Sequence, residues 1–162
     1  MTDPQRRLVL LRHAKAAWPR DVADVDRPLT DRGRTDAAAA GRWLAQHDPA
    51  IEVVRCSTAV RARQTWRLAH PEIPAAPQVD HDERIYAASP EQLLQVVRAL
   101  PSTAMTALLI GHNPGLEDLA GLLTGEPTEL RTAGIAVLLM RDGWAEAGPE
   151  QADPETTVTP RG

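Results

Sequence analysis

"RLVLLRHA", residues 7–14, is the stretch on which the reading of this chain turns. Four consecutive apolar residues, Leu8 to Leu11, run straight into Arg12 and His13. An unbroken apolar run of that length fits a buried strand. A strand that only has to fill a core gains nothing from ending in two adjacent polar, cation-forming side chains. That ending raises the question of a site.

Outward from this strand the pattern alternates. A polar loop containing "DVADVDRP" precedes a helix capped by Thr30, which runs through "DRGRTDAAAAGRWLAQH" to His47. "IEVVRC" reads as a second strand and residues 59–69 as a second helix. "HPEIPAAP" is a proline-rich connection, and "QVDHDE" a short, weak strand. Ser89, Pro90 and Gln92 supply an N-cap, a first helical residue and a capping box for a third helix. "TALLIGH" is a further apolar strand, ending at His112. "PGLEDLAGLLTG" is a short helix stopped by Gly125, and "GIAVLLM" another strand, with "WAEAG" at 144–148 as its edge partner. The alternation implies an α/β fold: one three-layer domain, with a mostly parallel central sheet flanked by helices. The expected domain is 1–149. Residues 150–162, without apolar periodicity, are expected to form a flexible tail.

Composition narrows the function. A chain of 162 residues suits one domain, and a net charge of -4 gives no basic field for nucleic acid or an anionic membrane. Lys15 is the only lysine among 18 basic residues. A single cysteine, Cys56, forbids an intramolecular disulfide and reads as a small core residue. The start, "MTDPQRR", has no apolar signal core, and no run approaches a membrane span. The expectation is a soluble, cytoplasmic protein.

In open parallel sheets, sites form beyond the carboxyl ends of the strands. Arg12 and His13 stand at one such end, Arg61 follows the second strand, and His112 leaves the fourth. Two arginines beside two histidines repel metal ions and attract an anion. Arginine offers phosphate paired donors that never deprotonate. Neighbouring cations keep an imidazole neutral and its lone pair available. The strand is thus a rigid mount for an anion-binding nucleophile, and a phosphoryl group is the best-matched ligand.

"LVLLRHA" (8–14), "RPLTDRG" (27–33), "STAVRARQT" (57–65) and "LIGHNPG" (109–115), in that order, resemble the histidine phosphatase superfamily. The short length and "GHNPG" are most similar to its small branch, the SixA-type phosphohistidine phosphatases. The resemblance implies a phosphoglycerate mutase-like fold and a metal-independent phosphatase with no cofactor. It implies a phosphohistidine intermediate on His13, with Arg12, Arg61 and His112 binding the phosphoryl oxygens. The implied substrate is a phosphorylated protein carrying phosphohistidine. Small phosphate esters or nucleotides are the alternative, and a non-catalytic phospho-ligand module or a mutase fits less well. Lys15 is placed at the substrate end of the pocket, and Trp18 either lines its mouth or covers the core. The general acid of larger members lies on a segment matched by "DHDERIY", making Glu83 the candidate and Asp82 the second. Ala14 stands where the family triplet usually has glycine.

Overall fold

The computed structural model describes residues 5–162; the first four residues of the start discussed above lie outside it. Six strands form one sheet in the order β3-β2-β4-β1-β5-β6. The strands are β1 (Arg7–Arg12), β2 (Val53–Cys56), β3 (Gln78–His81), β4 (Thr106–Gly111), β5 (Ile135–Met140) and β6 (Ala152–Val158). The helices are α1 (Asp31–His47), α2 (Val60–Ala69), α3 (Pro90–Arg98) and α4 (Gly115–Thr124). Strands β1 to β4 pair in parallel, while β5 and β6 are antiparallel to their neighbours.

The apolar run of β1 is continuous because both of its faces are covered. Leu8 and Leu10 share one core with Leu93 and Val97 of α3 and with Leu116 and Leu119 of α4. Val9 and Leu11 enter the opposite core, with Ala40 and Leu44 of α1 and Trp66 of α2. All four β1 residues are fully buried, and alternate residues serve opposite layers, as the period of a strand requires.

The helix caps follow the sequence chemistry. Thr30 accepts from the Gly33 amide. Ser89 and Gln92 form a reciprocal capping box, and Gly125 closes α4 in the left-handed conformation at φ 76°. Gly33 is also fixed by a close approach: a Cβ there would lie 2.2 Å from the Lys15 carbonyl oxygen. Gly33→Ala is therefore expected to cost about 1–3 kcal/mol, as overpacking does. A lowered urea midpoint at unchanged slope would show it.

Two expectations are corrected. Residues 150–162 are no free tail, since β6 extends the sheet by pairing with β5. Its sequence, "ADPETTV", is largely exposed, so no apolar pattern announces it. Backbone pairing holds it, helped by Glu155 bound to Arg7 and Asp153 bound to Arg141, each at 2.7 Å. Beyond it, Arg161 donates to Asp36 and to the Thr132 carbonyl. The "WAEAG" stretch is not an edge strand either. Trp144–Glu146 form a 3-10 helix, because the buried Trp144 indole turns inward to donate to the Ala104 carbonyl at 2.8 Å.

No helix among the described residues is long and apolar enough to cross a membrane.

Candidate active site

The sheet order explains where side chains with chemistry gather. β1 and β4 are neighbours, yet the helices that follow them, α1 and α4, pack on opposite faces. Such a divergence opens a crevice at the carboxyl ends of the two strands. Register then sets the levels. Arg12 lies opposite Gly111, and Cys56 opposite Ile110. The His13 amide donates to the Gly111 carbonyl, and the Ser57 amide to the Ile110 carbonyl, each at 3.0 Å.

Arg12, His13, Lys15, Arg61 and His112 line one cavity of about 320 Å³ at this edge, together with Trp18 and Asn113. His13 and His112 are both buried, with ring centroids 5.0 Å apart. Burial is the main force that pushes the His13 imidazole down to about 3, aided by the positive potential of His112, Arg61 and Arg12. Burial, then Arg61, pushes His112 down to about 4. Both rings are therefore neutral near pH 7.

The tautomer of His13 follows from its contact. Nδ1 lies 2.7 Å from the Ala14 carbonyl oxygen. A carbonyl can only accept, so Nδ1 carries the proton and Nε2 keeps the lone pair. Ala14 fits without strain: it is absent from the residues with positive φ, and it is buried against Leu29, Ala37 and Ala133. Its amide donates to Thr65 Oγ1 at 3.0 Å, which ties the strand end to α2.

Arg61, in the first turn of α2, is buried and aimed by a loop carboxylate. Its two terminal nitrogens donate to the Asp24 carbonyl at 2.7 Å and to Asp24 Oδ2 at 3.0 Å. Asp24 also accepts from the Tyr86 hydroxyl at 2.5 Å and from Arg27 at 3.0 Å. These bonds, Tyr86 first, hold the Asp24 carboxyl well below the usual carboxylate range. Arg12 donates to the Leu130 carbonyl at 3.0 Å, and Asn113 donates to the same oxygen at 2.8 Å. His112 Nε2 lies 2.7 Å from Ser57 Oγ.

Buried polar atoms without a partner concentrate here. Among the described residues there are six, and four belong to residues of this cavity: Arg12 Nε, Arg61 Nε, His112 Nδ1 and Asn113 Oδ1. Buried polar groups are normally satisfied. A cavity with two guanidinium groups, two neutral imidazoles and unspent donors can hold a tetrahedral oxyanion and present it to a nitrogen lone pair.

The acid candidates are placed elsewhere. Glu83 is exposed, and it lines a different hollow, of about 510 Å³, with Arg55, Asp80 and Arg84. Asp82 caps the 3-10 turn Glu83–Ile85 and binds Arg84 at 2.7 Å. Arg84 holds its carboxyl below the usual range. A carboxylate that does bind a site arginine is Asp24, held against Arg61, which sequence reasoning passed over. Asp21, Asp24 and Asp26 look alike within the loop, and only the fold selects the one facing Arg61 and Tyr86. Ser57 was also missed, although its place directly after a strand end was a usable signal. Cys56 is buried, and burial pushes its thiol up to about 12, so it behaves as core.

Comparison with known proteins gives one consistent answer. The histidine phosphatase superfamily (branch 1) matches residues 8–86. An uncharacterized protein of Mycobacterium tuberculosis strain H37Rv is 39% identical over 150 residues, covering 86% of this chain and 92% of its own. A solved structure from Nakamurella multipartitia, described as "Putative Phosphohistidine Phosphatase SixA", is 35% identical with a TM-score of 0.84, covering 98% of this chain and 99% of its own. Another so described, from Agrobacterium tumefaciens, is 28% identical with a TM-score of 0.83, over 98% and 100%.

Proposed function

Because the chain belongs to the histidine phosphatase superfamily and is a phosphatase, we propose that it is a metal-independent, SixA-like phosphohistidine phosphatase acting on phosphorylated protein through His13. The observation that carries this reading is the pairing of a neutral His13, its Nδ1 proton held by the Ala14 carbonyl, with Arg12, Arg61 and His112 around one cavity. Glu83 lies off that cavity, so no proton transfer is assigned to it.

The reaction has two displacements. His13 Nε2 attacks phosphorus, and the bond to the leaving group breaks as its electron pair goes to the departing nitrogen or oxygen. Arg12, Arg61 and His112 take up the charge on the three equatorial oxygens. Water then attacks the phosphohistidine on His13. The P–Nε2 bond breaks, inorganic phosphate leaves, and the imidazole returns neutral. Lys15 stands exposed at the entrance, able to meet an anionic substrate. Asp24 fixes the direction of Arg61.

Three predictions separate these roles from the alternatives. Asp24→Ala removes the shared acceptor of Arg61, Arg27 and Tyr86. Charge-assisted hydrogen bonds are worth about 1.5–3 kcal/mol, so kcat should fall on the order of tenfold or more. Glu83→Gln should change kcat less than about twofold; a larger loss would return Glu83 to the chemistry. The pH profile is the third. A protonated imidazole has no lone pair, and a lowered pKa extends the neutral form to lower pH. With His13 at about 3 rather than 6.5, kcat/KM, corrected for substrate ionisation, should stay level from about pH 7 to about pH 5. A loss centred near 6.5 would mean an ordinary histidine. Initial rates are needed, because the unfolded chain binds the extra protons and stability declines as pH falls below 6.5.

The substrate class is tested by phosphate release, in excess chelator, from a phosphohistidine protein and from an aryl phosphate. The proposal expects release from both with strong preference for phosphohistidine. Cleavage of the ester alone would refute the substrate assignment and leave His13 in place. Arrest by chelator would refute metal independence.

A further inference from the structure

Trp18 is 80% exposed, and only Val22 joins it as an exposed large apolar side chain among the described residues. An indole left in water is costly to keep, and this one is not loose. The Arg27 guanidinium carbon lies 3.2 Å from the centre of its ring, a close cation–π contact. Arg27 is itself buried, with Nε donating to the Ala17 carbonyl at 2.9 Å and a terminal nitrogen donating to Asp24 Oδ1 at 3.0 Å. Asp24 in turn holds Arg61. One face of the indole therefore rests on a fixed support that is linked to the phosphate-binding arginine. The other face is open to solvent, and the residue is one of those that line the cavity containing His13.

In an in-line displacement the leaving group departs on the side opposite the nucleophile. His13 is buried and Trp18, which lines the same cavity, is exposed, so a leaving group that departs toward solvent leaves through a cavity that the indole lines. We propose that the open face of Trp18 stacks on the planar ring of that leaving group. Trp18 is then a specificity-determining residue, favouring phosphoryl groups carried on an aromatic ring, the imidazole of phosphohistidine first, over those on aliphatic hydroxyls. Stacking reads a π-face and needs no hydrogen-bond match. The inference rests on the proposed role of His13 and adds the source of its selectivity.

Two measurements test it. The first is the ratio of kcat/KM for phosphohistidine to that for phosphoramidate, which has the same P–N bond and no ring. Aromatic stacking of a base is typically lost on truncation to alanine by about tenfold or more. Trp18→Ala should lower the ratio by that factor, and Trp18→Phe should restore most of it. A general disturbance of the loop would lower both rates and leave the ratio unchanged, which would overturn the proposal. The second needs no turnover: calorimetric affinity for phenylphosphonate relative to methylphosphonate. Wild type should prefer the phenyl compound, and Trp18→Ala should lose the preference. A wild type that binds methylphosphonate and gains nothing from the ring overturns the stacking role alone. A wild type that binds neither overturns the phosphate site, and the stacking role with it.

Discussion

His13→Ala is expected to lower phosphate release on the order of 10⁴-fold or more, the scale seen when an enzyme loses its covalent nucleophile. The expectation follows from geometry. Nε2 is the one nitrogen with a free lone pair on a ring whose other nitrogen is occupied by the Ala14 carbonyl, and the ring stays neutral because it is buried among cations. Water attacking directly would have to replace both the nucleophile and its alignment. The variant should still bind vanadate or inorganic phosphate, because Arg12, Arg61 and His112 remain around the cavity. Retained binding with lost turnover separates a missing nucleophile from a collapsed site. Turnover within tenfold of wild type would mean that the nucleophile lies elsewhere.

Arg61→Ala carries the next largest effect, a loss in kcat on the order of 10²- to 10³-fold, the range for removing one preorganised donor to a charged transition state. Arg61 is suited to that role because its fork is already aimed. Asp24 engages both terminal nitrogens, and the side chain is buried at the start of α2. Arg61→Lys should recover little, since an ammonium keeps the charge and loses the fork. The control is thermal unfolding. Arg61 also anchors the Asp24 loop, so a modest drop in melting temperature is expected. A drop large enough to leave the protein unfolded at the assay temperature would make the kinetic loss structural. A loss of less than about fivefold in a folded variant would remove Arg61 from transition-state stabilisation.

The parts of the molecule that were legible in the sequence are those that obey local rules. β1 and β4 announced themselves because strands covered on both sides need unbroken apolar runs, and Thr30 and Ser89 because a cap is a local hydrogen bond. The motifs at the strand ends were legible because register carries neighbouring strand exits to one level. β6 was hidden for the opposite reason. An edge strand of "ADPETTV" is held by backbone pairing and ion pairs, and its charged, proline-containing sequence matches what protected edges use. Trp144 broke its expected strand to satisfy an indole donor across a long sequence gap. The acid candidates show the same limit. Glu83 was chosen by order along the chain, whereas the carboxylate beside Arg61 is Asp24, brought there by a loop whose other aspartates look identical in sequence. Tertiary hydrogen bonds have no period, so nothing local marks them.

The central claim, that His13 carries the phosphoryl group, is tested most directly by trapping it. Enzyme mixed with substrate is quenched in alkali, where phosphohistidine survives, and its peptides are analysed by mass spectrometry. The account predicts one phosphoryl group on His13 during turnover, absent after substrate is consumed and absent in His13→Ala. Steady turnover with the label on another residue would contradict it.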